Sequence, residues 1–151
     1  MNQDTTVIGY LGRALSFELS AVQQYLSVSK LLEMRGMAEA AKHFKHDALE
    51  ELEHAERIIA RMLALGFSPN ASQLKPAKLK GSLVELMQQT EVLEKDIVIL
   101  YTQASKHCMM ANDHENRMFF ETLLQEEQQH AQGIATWLQK ILDGQTKVFD
   151  R

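Results

Sequence analysis

Six side chains with metal-binding chemistry recur in this chain at one offset. Adding 76 carries Glu18 to Glu94, Glu51 to Glu127 and His54 to His130. The same step carries Tyr25 to Tyr101, Ser29 to Ser105, Lys30 to Lys106 and Ala55 to Ala131. Each half therefore holds a Glu and a Tyr in one segment and Glu-x-x-His in the next. On a helix, Glu-x-x-His places a carboxylate and an imidazole on one face, three residues apart, where they can hold one metal or bridge two.

The bland alternative is that each residue acts alone. A single glutamate on an apolar stripe usually pairs with a lysine, and a single core histidine is usually just hydrogen-bonded. Here no lysine or arginine shares the stripe. Glu18 is flanked at helical spacing by Leu11, Ala14, Val22 and Tyr25, and Glu94 by Met87, Thr90, Val98 and Tyr101. Phe44, Ala55, Ile58 and Met62 surround Glu51 and His54, while Phe120, Leu123, Ile134 and Trp137 surround Glu127 and His130. These are core-facing stripes on a 3.6-residue period. An unpaired buried carboxylate costs several kcal/mol or takes up a proton. Two divalent cations balance four carboxylates. Oxygen donors with one imidazole per metal suit Fe(II) or Mn(II) better than copper or a structural zinc, and this ligand set is that of the dinuclear carboxylate bundles.

The elements that must position these residues are helices. Both prolines, Pro69 and Pro76, fall in the stretch 66–81. The rest is rich in strong helix formers. Periodicity predicts helices over 5–35, 38–65, 82–111 and 113–143. Gly36 and Gly66 close the first two, and Ser82 with Glu85 forms a capping box for the third. Asp113 caps the fourth and Gly144 stops it. Strand signals are nearly absent, so the fold class is all-α. Links of a residue or two make helices one and two an antiparallel hairpin, and likewise three and four. The 66–81 connection can stretch to ~50 Å, longer than a ~40 Å helix of 27 residues. It can thus cross the full length of the bundle. Two hairpins and one long crossover make a ferritin-like four-helix bundle, read as a single domain over 1–151 with a short C-terminal tail.

Composition sets the outer limits. The chain has 151 residues, 45% hydrophobic and 24% charged, with a formal net charge of −4. That apolar content excludes disorder. Acids outnumber bases 20 to 16, against a nucleic-acid partner recruited by a basic field. Cys108 is the one cysteine, so disulfide scaffolding is excluded. No signal peptide or membrane span is legible, and a cytoplasmic location is expected.

The segments Phe17-Glu18-Leu19, Glu50-Glu51-Leu52-Glu53-His54-Ala55, Glu94 and Glu126-Glu127-Gln128-Gln129-His130 closely resemble bacterioferritin, over roughly residues 1–143. The resemblance implies that Glu18, Glu51, His54, Glu94, Glu127 and His130 hold two iron ions. Glu51 and Glu127 would bridge them, Glu18 and His54 completing one and Glu94 and His130 the other. It implies a 24-subunit cage that oxidises Fe(II) with oxygen or hydrogen peroxide and stores ferric mineral. His46 and Glu50, one turn apart, resemble an inner-surface iron site of that family, whose second residue is usually Asp. Two departures stand out. Leu52 occupies the place of the family's haem-ligand methionine, and leucine has no lone pair to give iron. Haem is therefore not expected in a homo-oligomer, and a mixed cage with a haem-binding bacterioferritin subunit is an alternative assembly. The family's fifth helix is reduced to the seven residues after Gly144, which puts the four-fold contact in doubt.

Tyr25 and Tyr101 lie one i+7 step from Glu18 and Glu94, and each can donate a hydrogen bond to a metal-binding carboxylate. His43 with Asp47 is a weaker pairing. The run His107-Cys108-Met109-Met110, with His114, suggests metal but spans a helix end. The eight methionines read as core filler. Two other functions fit the same bundle: a di-iron or di-manganese peroxidase or catalase, and a non-catalytic cage subunit of a mixed assembly.

Overall fold

In a computed structural model, residues 4–70 and 73–149 are described. Among them are four helices, α1 (Thr5–Met34), α2 (Ala38–Ala64), α3 (Leu83–Met110) and α4 (His114–Phe149), and no strand. The starts follow from side-chain caps. Asp4 accepts from the Thr6 amide at 2.8 Å, Ser82 Oγ from Glu85 at 3.3 Å and Asp113 from Asn116 at 3.2 Å. Each satisfies an amide that the first helical turn leaves without a carbonyl.

The first three helices end alike. Gly36, Gly66 and Asn112 take left-handed backbone, at φ 77°, 85° and 55°. The next amide then folds back on the last turn: Met37 to the Leu32 carbonyl, Phe67 to Met62 and Asp113 to Cys108, each at 2.9 Å. Asparagine tolerates this conformation better than most residues with a side chain. Gly144, expected to stop α4, does not. The helix runs through it to Phe149, since a helical glycine costs only about 1 kcal/mol against alanine and no proline follows to end the helix. The last residues continue α4 instead of forming a separate tail, as far as residue 149.

α1 packs on α2 and α3 on α4, and the hairpins meet through α1 and α3. Long polar side chains bridge α2 to α4: Arg57 reaches Glu126 at 2.7 Å, and Arg61 reaches Asn116 at 2.8 Å and Glu115 at 2.9 Å. The crossover runs alongside α1 in the same direction. Ser20 Oγ accepts from the Lys75 amide at 3.0 Å, the Gln24 amide brackets Lys78 with two 2.7 Å bonds, and Arg35 donates to the Gly81 carbonyl at 2.7 Å. α3 thus starts beside the end of α1 and runs antiparallel to it. Leu11, Leu15, Tyr25, Phe44, Ile58, Met87, Tyr101 and Phe120 form the core. The methionines are not all filler: Met62 and Met87 are buried, whereas Met34, Met109, Met110 and Met118 are exposed. No helix among the described residues is long and apolar enough to cross a membrane.

Candidate metal centre

Each of the four helices delivers one glutamate to the middle of the bundle. Glu18, Glu51, Glu94 and Glu127 are fully buried, and His54 and His130 lie nearly so beside them. Their ligand atoms fall into two overlapping groups. Glu18, Glu51, His54 and Glu127 have donor atoms within 4.8 Å of one another, and so do Glu51, Glu94, Glu127 and His130. Only Glu51 and Glu127 belong to both. His54 Nδ1 is 2.8 Å from Glu127, 3.6 Å from Glu18 and 3.8 Å from Glu51. His130 Nδ1 is 3.1 Å from Glu94 and 3.2 Å from Glu51. The two imidazoles thus present the same ring nitrogen to the centre.

The tyrosines serve the opposite halves. Tyr101 Oη donates to Glu18 Oε1 at 2.8 Å, and Tyr25 Oη donates to Glu94 Oε1. Each therefore holds the glutamate of the facing helix, and not the one seven residues before it. Burial, with the adjacent carboxylates, raises both phenols well above their ordinary pKa, so both remain protonated donors.

Charge is concentrated and poorly balanced. Burial, then the neighbouring Glu18, Glu127 and Glu94, raises Glu51 well above the usual carboxylate range. Burial lifts Glu94 to about 8, against the opposing pull of His130. Burial alone would lower the histidines, but the carboxylates outweigh it. Glu127 and Glu18 raise His54 to about 10, while Asp47 and Glu94 raise His130 to about 11. Even so, Glu18 Oε2, both oxygens of Glu51, Glu94 Oε2 and Glu127 Oε2 are buried without a hydrogen-bond partner. Buried oxygens are seldom left so. Hard divalent cations satisfy such oxygens, so the donor set fits a pair of them.

A cavity of about 400 Å³ between α2 and α4 opens beside His54 and His130. His46, Asp47 and Glu50 form a third potential ligand group there, with His46 exposed. His46 Nδ1 is 3.6 Å from Glu50. His43 stacks on Trp137, ring centroids 3.9 Å apart, with Nε2 3.8 Å from Asp47. The run from His107 gathers no metal cluster among the described residues: His107 Nε2 lies 2.7 Å from Asp4. Cys108 is buried and its thiol is raised to about 11, by burial first. Leu52 is 38% exposed on α2, outside the centre.

Sequence reasoning paired Asp47 with His43 and missed its main contact. Its carboxylate is buried, with Oδ1 3.1 Å from His130 Nε2. Asp47 lies seven residues before His54 on α2, but only packing brings it to α4.

A family model for the ferritin-like domain matches residues 8–143. The bacterioferritin of Rhodobacter capsulatus is 32% identical over 151 residues, covering 100% of this chain and 89% of its own. That of Streptomyces coelicolor is 28% identical, covering 93% and 84%. A solved structure of the Rhodobacter capsulatus protein, described as having a metal-free dinuclear site and a haem iron in a crystallographic special position, superposes with a TM-score of 0.87. It is 33% identical, and the match covers 92% of this chain and 87% of that one.

Proposed function

We propose that this chain, which belongs to the bacterioferritin family of ferritin-like proteins, oxidises Fe(II) between its four helices and serves iron storage. The observation that carries this reading is the convergence of four buried glutamates and two histidines with several carboxylate oxygens left unpartnered. Iron is the substrate. Two Fe(II) lose one electron each, reducing oxygen to hydrogen peroxide or hydrogen peroxide to water. Water hydrolyses the Fe(III), releasing protons, to ferric oxo-hydroxide stored in a cage cavity.

In this reading Glu51 and Glu127 span both halves, because each belongs to both ligand groups. Glu18 with His54 completes one half and Glu94 with His130 the other. Anionic oxygen donors favour Fe(III) over Fe(II), which helps the electrons leave. Tyr101 and Tyr25 keep Glu18 and Glu94 in place through their hydrogen bonds. Glu51 and Glu94, held neutral by burial, release their protons as cations enter. The cavity beside His130 is the route in, with His46 and Glu50 at its wall as a transit site. The assembly is a closed cage, of this chain alone or mixed with a second bacterioferritin subunit.

Anaerobic Fe(II) titration tests the reading directly. About two Fe(II) per chain should bind, and oxygen or peroxide should then oxidise them faster than free iron in the same buffer. Stoichiometric binding without acceleration would leave a cage subunit with no oxidase role. Binding well below one per chain would remove the site.

The residues do not fit axial ligation of haem at position 52, where Leu52 supplies only hydrocarbon. Protein produced alone is expected to carry no bis-methionine haem. Leu52→Met is nearly volume-conserving, at under ~1.5 kcal/mol, and should let added haem bind with a bis-sulfur spectrum. That spectrum in the unaltered protein would overturn the assignment. A Leu52→Met protein that binds no haem would mean the surrounding pocket is lost as well.

A further inference from the structure

We propose that Asp47 is a positioning residue for His130 and makes the Glu94–His130 half of the dinuclear centre the tighter, first-filled metal site. This deepens the proposed function and rests on it. The two halves look equivalent in their ligands, yet their surroundings are not. The offset of 76 that relates Glu51 to Glu127 relates Asp47 to Leu123, a fully buried hydrocarbon. It also relates Glu50 to Glu126, and Arg57 to Gly133.

The consequences differ at the two imidazoles. His130 Nε2 faces Asp47 Oδ1 at 3.1 Å, with Glu50 Oε2 at 4.0 Å behind it. The approach is an ion-pair contact and not a formed hydrogen bond. All the ion pairs and hydrogen bonds of His54 among the described residues use Nδ1, so its Nε2 has no such carboxylate. Glu126, which could have played the role of Glu50, is instead held by Arg57 at 2.7 Å.

A carboxylate on the far nitrogen of a ligating histidine fixes the tautomer and ring orientation and raises the basicity of the other nitrogen. When a cation displaces the Nδ1 proton, Asp47 keeps the remaining proton of His130 on Nε2, so the Nδ1 lone pair serves the metal beside Glu94 and Glu51. His54 receives no such help. The negative potential of Asp47 and Glu50 further favours a cation on the His130 side, while Arg57 offsets Glu126 on the other.

Anaerobic titration with Co(II), which oxygen chemistry does not consume here, reads each site through its visible d–d absorption. The full chain should fill in two steps. His130→Ala should abolish the tighter step and His54→Ala the weaker one. Asp47→Asn should weaken the tighter step by about 10- to 100-fold. That loss should persist in His54→Ala and vanish in His130→Ala, which has no imidazole to position. An equal loss in all backgrounds would make Asp47 a general electrostatic contributor and overturn the proposal. So would two indistinguishable steps, or His54→Ala removing the tighter one. If Asp47→Asn does not fold, the two histidine variants still decide the order of filling. Failure to bind any Co(II) would refute the metal centre itself, whereas equal binding at both halves would refute only the asymmetry.

Discussion

Glu51→Ala and Glu127→Ala are each expected to slow the fast phase of Fe(II) oxidation by about 100-fold or more, beyond the roughly 10–100-fold typical of outer-shell losses. Each of these carboxylates belongs to both ligand groups, so in the proposed reading its removal weakens both metal sites. Glu18→Ala, Glu94→Ala and His130→Ala should each slow the same phase less, because each disables one half. Stopped-flow absorbance of the ferric product, after mixing Fe(II)-loaded protein with oxygen, reads the effect. Melting curves of the metal-free variants separate loss of the site from misfolding. Burial and like charge push Glu51 towards its neutral form, so replacing it with alanine removes a buried, unpartnered carboxyl group from the metal-free core. The metal-free variant should melt no lower than its parent, apart from the small cavity it leaves. Unchanged kinetics in all five variants would refute the site assignment.

The residues that were legible in the sequence are those whose reading depends on local periodicity. The spacing of Glu51 and His54 on one helix, the stripes around Glu18 and Glu94, and the punctuation at Gly36, Gly66 and Ser82 all act within a turn or two. The first three helices end within one residue of their expected limits. Asn112 has the same left-handed role as the two glycines, but a residue with a Cβ is a weaker signal for it. Gly144 misled for the converse reason: glycine stops a helix only where the chain benefits from turning, and here it remains inside α4. Contacts between helices were not legible. Tyr25 lies seven residues from Glu18, yet it donates across the bundle to Glu94 because α1 and α3 run antiparallel. The contact of Asp47 with His130 escaped notice because the repeat that exposed the ligands is broken at Leu123, so it has no echo in the other half.

Metal-free protein is expected to lose stability as pH rises from about 4.5 to 8, and redox-inert divalent metal to reverse that loss. The direction follows from the ionisations. Glu94 is raised to about 8 and Glu51 is also raised, so the folded chain holds protons that the unfolded chain has released above the ordinary carboxylate pKa. Stability falls wherever the folded state binds more protons than the unfolded one as pH increases. His54 and His130, raised to about 10 and about 11, have the same sign. Their contribution is complete below about 6.5 and is lost as pH climbs through their folded values. Cations need the deprotonated ligands, so binding strengthens over the same interval. At a free metal concentration near 1,000 times Kd, binding adds about 4 kcal/mol, or roughly 10 °C in Tm for a chain of this size. The gain should be large at pH 8 and small near pH 5.5, where protons compete for the same oxygens. Melting curves with and without Co(II) or Zn(II) across this range measure both trends. A metal-free Tm that stays flat from pH 5.5 to 8 would show that these glutamates ionise freely in the folded chain. A metal-induced shift that does not vary with pH would show that the cation binds elsewhere.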